Sequence, residues 1–109
     1  MYNFSVTASL KAWIDQVVRV GRTIEYPSYI GLLKGKKVTI ITTRGGAGVG
    51  PAEPMALLDA QLPHLKQILG FMGITDASVV YAGGLAGSDE ARQSSLHKAL
   101  AKVEELASK

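Results

Sequence analysis

A run of β-branched residues at positions 38–43 breaks abruptly into Arg44, Gly45 and Gly46. The apolar side chains at 38, 40 and 41 do not alternate with polar ones, as a strand with one wet face would require. The pattern therefore predicts a strand over Lys37–Thr43 that is buried on both faces and flanked by helices. Open α/β sheets bind ligands at the carboxyl ends of such strands, where glycine lets backbone N–H groups approach a ligand. A flexible glycine turn without a ligand is the alternative interpretation.

A helix is predicted before this strand. Thr7 offers a hydroxyl as N-cap, and Gly21 supplies a C-terminal stop. On the polar face, Asp15 and Arg19 are four residues apart and are expected to pair. Residues 22–36 carry turn residues without periodicity, which predicts a surface connection. The apolar residues recur at the three-and-four spacing of one helical face, namely Leu10, Trp13, Ile14, Val17 and Val18.

The second half of the sequence predicts a helix over residues 63–72 and a second strand over Ser78–Ala82. Pro63 is acceptable in the first turn of a helix, because its missing N–H has no intrahelical partner there. Gly73 ends the helix. A strand, a crossover that contains a helix, and another strand make a right-handed unit with parallel strands.

A last helix is predicted to start after Ser88, which is a good N-cap, and to run to about Ala107. Acidic residues follow the cap and suit the helix dipole. The apolar residues of this helix predict a narrow buried stripe, formed by Leu96, Ala99, Leu100, Val103 and Leu106. The elements together predict an α/β protein with a single domain over residues 1–109.

Composition narrows the function classes. The net charge is +3, but the cations are scattered, so no nucleic-acid partner is predicted. The absence of cysteine excludes disulfides and thiolate chemistry and suits the cytoplasm. No segment resembles a signal peptide or a membrane span, so no membrane partner is expected. The glycines from Gly45 to Gly50 fit neither phosphate-binding motif, because Pro51 stands where each motif needs another residue.

Five motifs, taken in order, resemble the FMN-dependent NADH-azoreductases, within the wider group of flavodoxin-like quinone reductases. The resemblance covers nearly the whole chain but only the C-terminal half of the family's length, without the loop that holds the FMN phosphate. The motifs are Met1-Tyr2-Asn3-Phe4, Leu10-Lys11-x-Trp13-Ile14-Asp15, Gly35-Lys36-Lys37, Thr43-Arg44-Gly45-Gly46 and Leu69-Gly70-Phe71-Met72-Gly73-Ile74-Thr75-Asp76.

The resemblance implies which residues bind the cofactor. Met1, Tyr2, Asn3 and Phe4 are expected to line one side of the isoalloxazine ring of FMN. A second set is expected to present backbone and side-chain donors to the pyrimidine edge of that ring, namely Thr43, Arg44, Gly45 and Gly46. No metal site and no catalytic acid or base is implied.

The resemblance also implies an activity and an assembly. In the family, two electrons pass as hydride from NADH through FMN to quinones or azo compounds. The expected fold is the C-terminal half of a flavodoxin-like, three-layer α/β/α sheet that another chain completes. A homodimer or a chain that carries the missing half is the expected partner. The alternative function is a non-catalytic remnant or assembly module without bound flavin.

Overall fold

The structure, a computed structural model, describes residues 3–109. The elements in chain order are α1 (Ala8–Val17), β1 (Lys37–Thr43), a 3₁₀ helix (Ala56–Leu58), α2 (Gln61–Phe71), β2 (Asp76–Ala82) and α3 (Asp89–Ala107). β1 and β2 pair in parallel, which confirms the predicted strand, helix and strand unit. Within residues 3–109, β2 is the only strand that pairs with β1.

Helix α1 begins as predicted but ends earlier. The Thr7 hydroxyl accepts a hydrogen bond from the Leu10 N–H at 3.3 Å. The helix stops at Val17 and not near Gly21, because the Thr23 hydroxyl donates to the Val17 carbonyl at 2.7 Å and so caps the last turn. The expected pair of Asp15 with Arg19 is therefore wrong. Arg19 lies beyond the helix, and Asp15 pairs with Lys11 at 2.6 Å.

Helix α2 starts two residues before the predicted boundary, at Gln61, and Pro63 lies in its first turn as predicted. Gly73 follows the end of helix α2 and has a φ of 99°, a conformation that glycine adopts without a steric penalty. The Gly73 N–H donates to the Gly70 carbonyl, and the Ile74 N–H donates to the Leu69 carbonyl. This pair of bonds is the Schellman arrangement. β2 then begins at Asp76, two residues earlier than predicted.

The chain divides into two compact units. The first unit comprises Thr39–Asp59 and Val79–Lys109, and the second comprises residues 3–38 and Ala60–Ser78. The second unit has an apolar core formed by Val6, Ile14, Ile24, Leu62, Met72 and Ile74. The buried residues of the first unit are Gly50, two apolar residues, Val80 and Ala82, and three polar ones, Thr42, Arg44 and Asp59. That residues 1–109 form one domain stays a prediction.

The first unit leaves apolar surface uncovered, which corrects two expectations. Exposed residues alternate along β1 with half-buried or buried ones, and Ile41 is 68% exposed, so the strand is not buried on both faces. The predicted stripe of α3 is also not buried: no residue of α3 is buried, and Leu100 is 62% exposed. Between them lies a cavity of about 230 Å³ that Ile41, Val80 and Val103 help to line. Within residues 3–109, no element covers Ile41 or Leu100, which are 68% and 62% exposed.

The part of the chain that the structure describes contains no helix long and apolar enough to cross a membrane.

Candidate functional site

The loop that follows β1 is fixed by hydrogen bonds to the loop that follows β2. The Arg44 N–H donates to the Ala82 carbonyl at 2.9 Å and extends the pairing of the strands by one residue. Three carbonyls of the first loop accept hydrogen bonds from N–H groups of the second loop, at 2.8–3.1 Å. The Arg44 carbonyl accepts from Leu85, the Gly45 carbonyl from Ala86, and the Gly46 carbonyl from Gly84. The glycine loop is therefore held in place and is not a free turn.

These bonds determine where the N–H groups of Gly45 and Gly46 point. In a trans peptide the N–H lies opposite to the carbonyl of the preceding residue. Because the Arg44 and Gly45 carbonyls face the loop after β2, the N–H groups of Gly45 and Gly46 face away from it. Both glycines are exposed, and among residues 3–109 neither N–H forms a hydrogen bond. Thr43, also exposed, ends β1 immediately before them.

Arg44 is buried, with a side chain that is only 3% exposed. Its guanidinium donates to a carboxylate oxygen of Asp59 at 2.9 Å, and the Asp59 side chain is 6% exposed. A second bond runs from the guanidinium to the Val49 carbonyl. The side-chain donors of Arg44 thus stabilise the loop from inside. That Arg44 binds a cofactor directly stays a prediction.

Tyr81 packs against this ion pair. The Arg44 guanidinium carbon lies 5.4 Å from the centre of the Tyr81 ring, close enough for a cation–π interaction. A Cβ at Gly50 or at Gly83 would overlap the ring, so both positions need glycine. The Tyr81 hydroxyl is buried without a hydrogen-bond partner among the described residues. Burial raises the pKa of Tyr81, Arg44 lowers it, and Glu53 and Asp59 raise it further.

Gly46 differs from Gly45 in what its missing Cβ would meet. A Cβ at Gly45 would lie 3.3 Å from the Ala86 Cβ, a tight contact, so packing favours glycine there. A Cβ at Gly46 would meet nothing within 4 Å, and the φ of Gly46 lies outside the left-handed range. Neither packing nor backbone conformation in the described chain therefore requires glycine at 46. A ligand that lies on the backbone would require it.

The other predicted site residues lie near the amino terminus. Met1 and Tyr2 lie outside the described residues. Asn3 and Phe4 belong to the second unit, where the Asn3 side chain accepts from the Ser5 N–H and donates to the Val6 carbonyl. Phe4 is 48% exposed and has φ of 58°, which is rare for a residue other than glycine. Strained backbone of this kind is often found at binding sites.

The first unit also contains a cavity of about 350 Å³, which Ala47, Tyr81 and Gly83 line together with one face of α3. Of the predicted site residues that the structure describes, none lines this cavity. The candidate site in the first unit is therefore the exposed rim formed by Thr43, Gly45 and Gly46, with Arg44 buried behind it.

Sequence reasoning missed Asp59 and Tyr81, the two side chains that surround the Arg44 guanidinium. Asp59 could have been noticed, because it is the one charged residue in the otherwise apolar segment 54–60. A lone carboxylate in such a segment indicates a buried ion pair. Tyr81 carried no comparable signal, since an aromatic residue in a strand is ordinary.

Comparisons with known proteins agree with the motifs. A family model described as a flavodoxin-like fold matches residues 1–107. The FMN-dependent NADH:quinone oxidoreductase 1 of Trichormus variabilis is 50% identical over 108 residues, which cover 94% of this chain and 50% of that protein. A protein named FMN-dependent NADH:quinone oxidoreductase in Acidobacterium capsulatum is 50% identical over 115 residues, 98% of this chain and 54% of that one.

Among solved structures, the FMN-dependent NADH-azoreductase of Bacillus anthracis, in complex with FMN, superposes with a TM-score of 0.86 at 30% identity. The match covers 99% of this chain and 51% of the azoreductase. This chain thus spans about half the length of the relatives that it matches. The resemblance found in the motifs is confirmed, and the chain belongs to the flavodoxin-like family that includes the FMN-dependent NADH:quinone oxidoreductases and azoreductases.

Proposed function

We propose that this chain forms the flavin-ring half of an FMN-dependent oxidoreductase that reduces quinones or azo compounds with NADH. FMN bound there would accept hydride from the nicotinamide and pass two electrons to the acceptor. The N–H groups of Gly45 and Gly46 would donate to the pyrimidine edge of the ring, where negative charge develops on reduction. Thr43 would complete this edge, Arg44 would support it from inside the loop, and residues 1–4 would line one side of the ring.

Gly46 carries this proposal. It follows a parallel strand at the carboxyl edge of the sheet, where α/β folds bind ligands. It is exposed, its N–H has no hydrogen-bond partner among the described residues, and nothing lies where its Cβ would be. A flat ring fits such a backbone surface, so the residues present suit a flavin. The left-handed φ of Phe4 is a second feature that suits a binding role.

The phosphate of FMN should contribute little to affinity in this chain. In the family that this chain resembles, the loop that holds the FMN phosphate lies in the half that this chain does not match. Two to three charge-assisted hydrogen bonds of roughly 1.5–3 kcal/mol each would be lost, which weakens FMN binding by about two to six powers of ten. We therefore expect the chain to purify without stoichiometric FMN and to show negligible NADH-dependent quinone or azo reduction.

Riboflavin has the same ring without the phosphate, so a comparison with FMN measures how much the phosphate contributes to affinity. FMN and riboflavin titrations followed by flavin fluorescence should give similar dissociation constants. Gly46→Leu should weaken both at least tenfold by covering the ring surface, whereas Gly70→Leu should not. Gly70 is a matched control, because it is exposed and also has nothing within 4 Å of its Cβ position. FMN binding far tighter than riboflavin, or turnover like that of a full-length relative, would contradict the half-site proposal.

We also propose that another chain completes the sheet. β1 has no second strand neighbour within residues 3–109, and an unpaired strand edge invites pairing. A two-fold homodimer through antiparallel β1 edges is favoured, since two-fold dimers are the commonest oligomers. A chain that carries the missing half, or a dimer through helix faces, would be the other assemblies. The solution mass tests this, and Ile40→Pro should abolish assembly through β1 by removing a ladder donor.

The alternative is a non-catalytic assembly module. The apolar surface around Ile41 and Leu100 favours it, because such a surface suits a protein partner whether or not flavin binds. An assembled chain that binds neither riboflavin nor FMN would support the module. A cytoplasmic location stays a prediction.

A further inference from the structure

The loop between β1 and the 3₁₀ helix is closed by the side chain of its own first residue. The Arg44 guanidinium donates to the Val49 carbonyl, five residues further on, and so joins the two arms of the loop. Its second bond, at 2.9 Å, runs to Asp59, which lies fifteen residues away in sequence. Asp59 itself belongs to neither arm. It anchors the guanidinium from outside the loop.

Arg44 can occupy this buried position only because its surroundings compensate its charge. A buried guanidinium without a carboxylate partner is strongly unfavourable. Without Asp59, the buried guanidinium would lose its countercharge, and its bond to the Val49 carbonyl would no longer be anchored from outside the loop. The Tyr81 ring covers the guanidinium at 5.4 Å, and the ring can lie there because positions 50 and 83 have no Cβ. Asp59 and Tyr81 thus fix one rotamer of Arg44 by charge and by shape.

That rotamer matters for the exposed rim. The carbonyls of Arg44, Gly45 and Gly46 are held by the loop after β2. The far arm is held by the Arg44 guanidinium at Val49 and by the Met55 N–H, which donates to the Gly48 carbonyl at 2.7 Å. When both arms are fixed, the N–H groups of Gly45 and Gly46 keep one direction. Donors that are already oriented bind a ligand without an ordering cost.

We propose that Asp59 and Tyr81 are positioning residues that act through Arg44 to orient the Gly45 and Gly46 N–H groups for the flavin ring. The proposal rests on the flavin-ring function given above. Neither side chain is expected to touch the ligand. Asp59 supplies the charge that keeps Arg44 inside, and Tyr81 supplies the ring that keeps it from moving sideways.

The experiment compares riboflavin affinity with the free energy of unfolding across a set of variants. Asp59→Asn, which keeps the shape and removes the charge, should weaken riboflavin binding at least tenfold. The double variant Arg44→Met with Asp59→Leu should regain stability, because replacing both members of a buried pair by apolar residues is often neutral or stabilising. It should not regain affinity, since Met cannot donate to Val49. Tyr81→Leu should weaken binding, and Tyr81→Phe, which keeps the ring, should not.

A folded double variant that binds riboflavin like the parent would overturn the proposal, since the pair would then serve stability alone. If the Asp59 variants do not fold, Arg44→Lys decides. Lysine keeps the charge but lacks the planar fork that reaches Asp59 and Val49 together, so parent-like affinity in that variant would also overturn it. A parent chain that does not bind riboflavin, or an unchanged affinity in Gly46→Leu, would instead refute the proposed function.

Discussion

The two compact units are stabilised in different ways. The second unit buries six apolar residues, from Val6 to Ile74, as small domains usually do. The first unit buries an ion pair, Arg44 with Asp59, beside Thr42, Val80 and Ala82. Its larger apolar residues, such as Ile41 and Leu100, lie at the surface. In the first unit a charged pair is therefore buried while larger apolar side chains are exposed, which reverses the usual distribution.

This difference shows what each unit depends on. Apolar burial is non-directional, so the second unit tolerates substitutions that keep volume and polarity. A buried ion pair depends on both partners and on their geometry. Substitutions at a few positions should therefore destabilise the first unit strongly. Substitutions of its exposed apolar residues should hardly change the stability of the isolated chain. The exposed apolar surface of the first unit suits the further chain that we propose completes the sheet.

The largest effect should come from breaking the buried pair. Asp59→Asn should destabilise the chain by about 3–5 kcal/mol, because it leaves the guanidinium buried without its countercharge. Asp15→Asn is the matched control, since it breaks the exposed pair with Lys11, and it should cost about 1 kcal/mol or less. Urea unfolding of both variants measures the difference. Equal losses would mean that the first unit does not depend on its ion pair.

A smaller loss is expected from filling the space next to Tyr81. A Cβ at position 83 would overlap the ring, so Gly83→Ala should destabilise by about 1–3 kcal/mol through overpacking. Gly46→Ala, where nothing lies within 4 Å, should change stability by less than about 0.5 kcal/mol. Thermal unfolding of the two variants tests this contrast, and a Gly83→Ala variant as stable as the parent would show that Tyr81 moves freely.

The local elements of this fold could be predicted from sequence. β1 was correct over Lys37–Thr43, and the side-chain caps Thr7 and Ser88 placed two helix starts, because each signal lies within a few residues of what it determines. The end of α1 was missed because it depends on Thr23, six residues beyond Val17. Periodicity gives no warning of a side chain that returns from a later turn.

The site was predictable in part for the same reason. The position of the glycine loop follows from the end of a parallel strand, which is a rule about chain order. The burial of Arg44 follows from Asp59, which local patterns do not connect with it. The exposure of Ile41 could not be foreseen either, because its β-branched neighbours suit a buried strand, and a local pattern does not show which face of a strand is covered. The assignment of residues 1–4 and 43–46 to flavin stays a prediction.

The outer apolar residues should affect association much more than folding. Leu100 is 62% exposed, so Leu100→Lys should change the unfolding free energy of the monomer by less than about 0.5 kcal/mol. If this surface receives another copy, the substitution should lower the solution mass toward the monomer, because a charge there would be buried unpaired. Light scattering across a concentration series measures it. Leu57→Lys, at a fully exposed leucine in the 3₁₀ helix, is the control and should leave the mass unchanged.

The smallest effect concerns the proton of Tyr81, whose pKa burial raises above its usual value of about 10 despite the lowering effect of Arg44. Between the unfolded and the folded pKa, the folded chain holds this proton and the unfolded chain has lost it. Stability from this group is therefore complete below about pH 10 and falls as the pH rises through that range. Tyr81→Phe removes this titration. From about pH 9 to about pH 11, the unfolding free energy of the parent should therefore fall relative to that of the variant. A parent that gained stability relative to Tyr81→Phe over this range would mean that Arg44, and not burial, determines how the hydroxyl titrates.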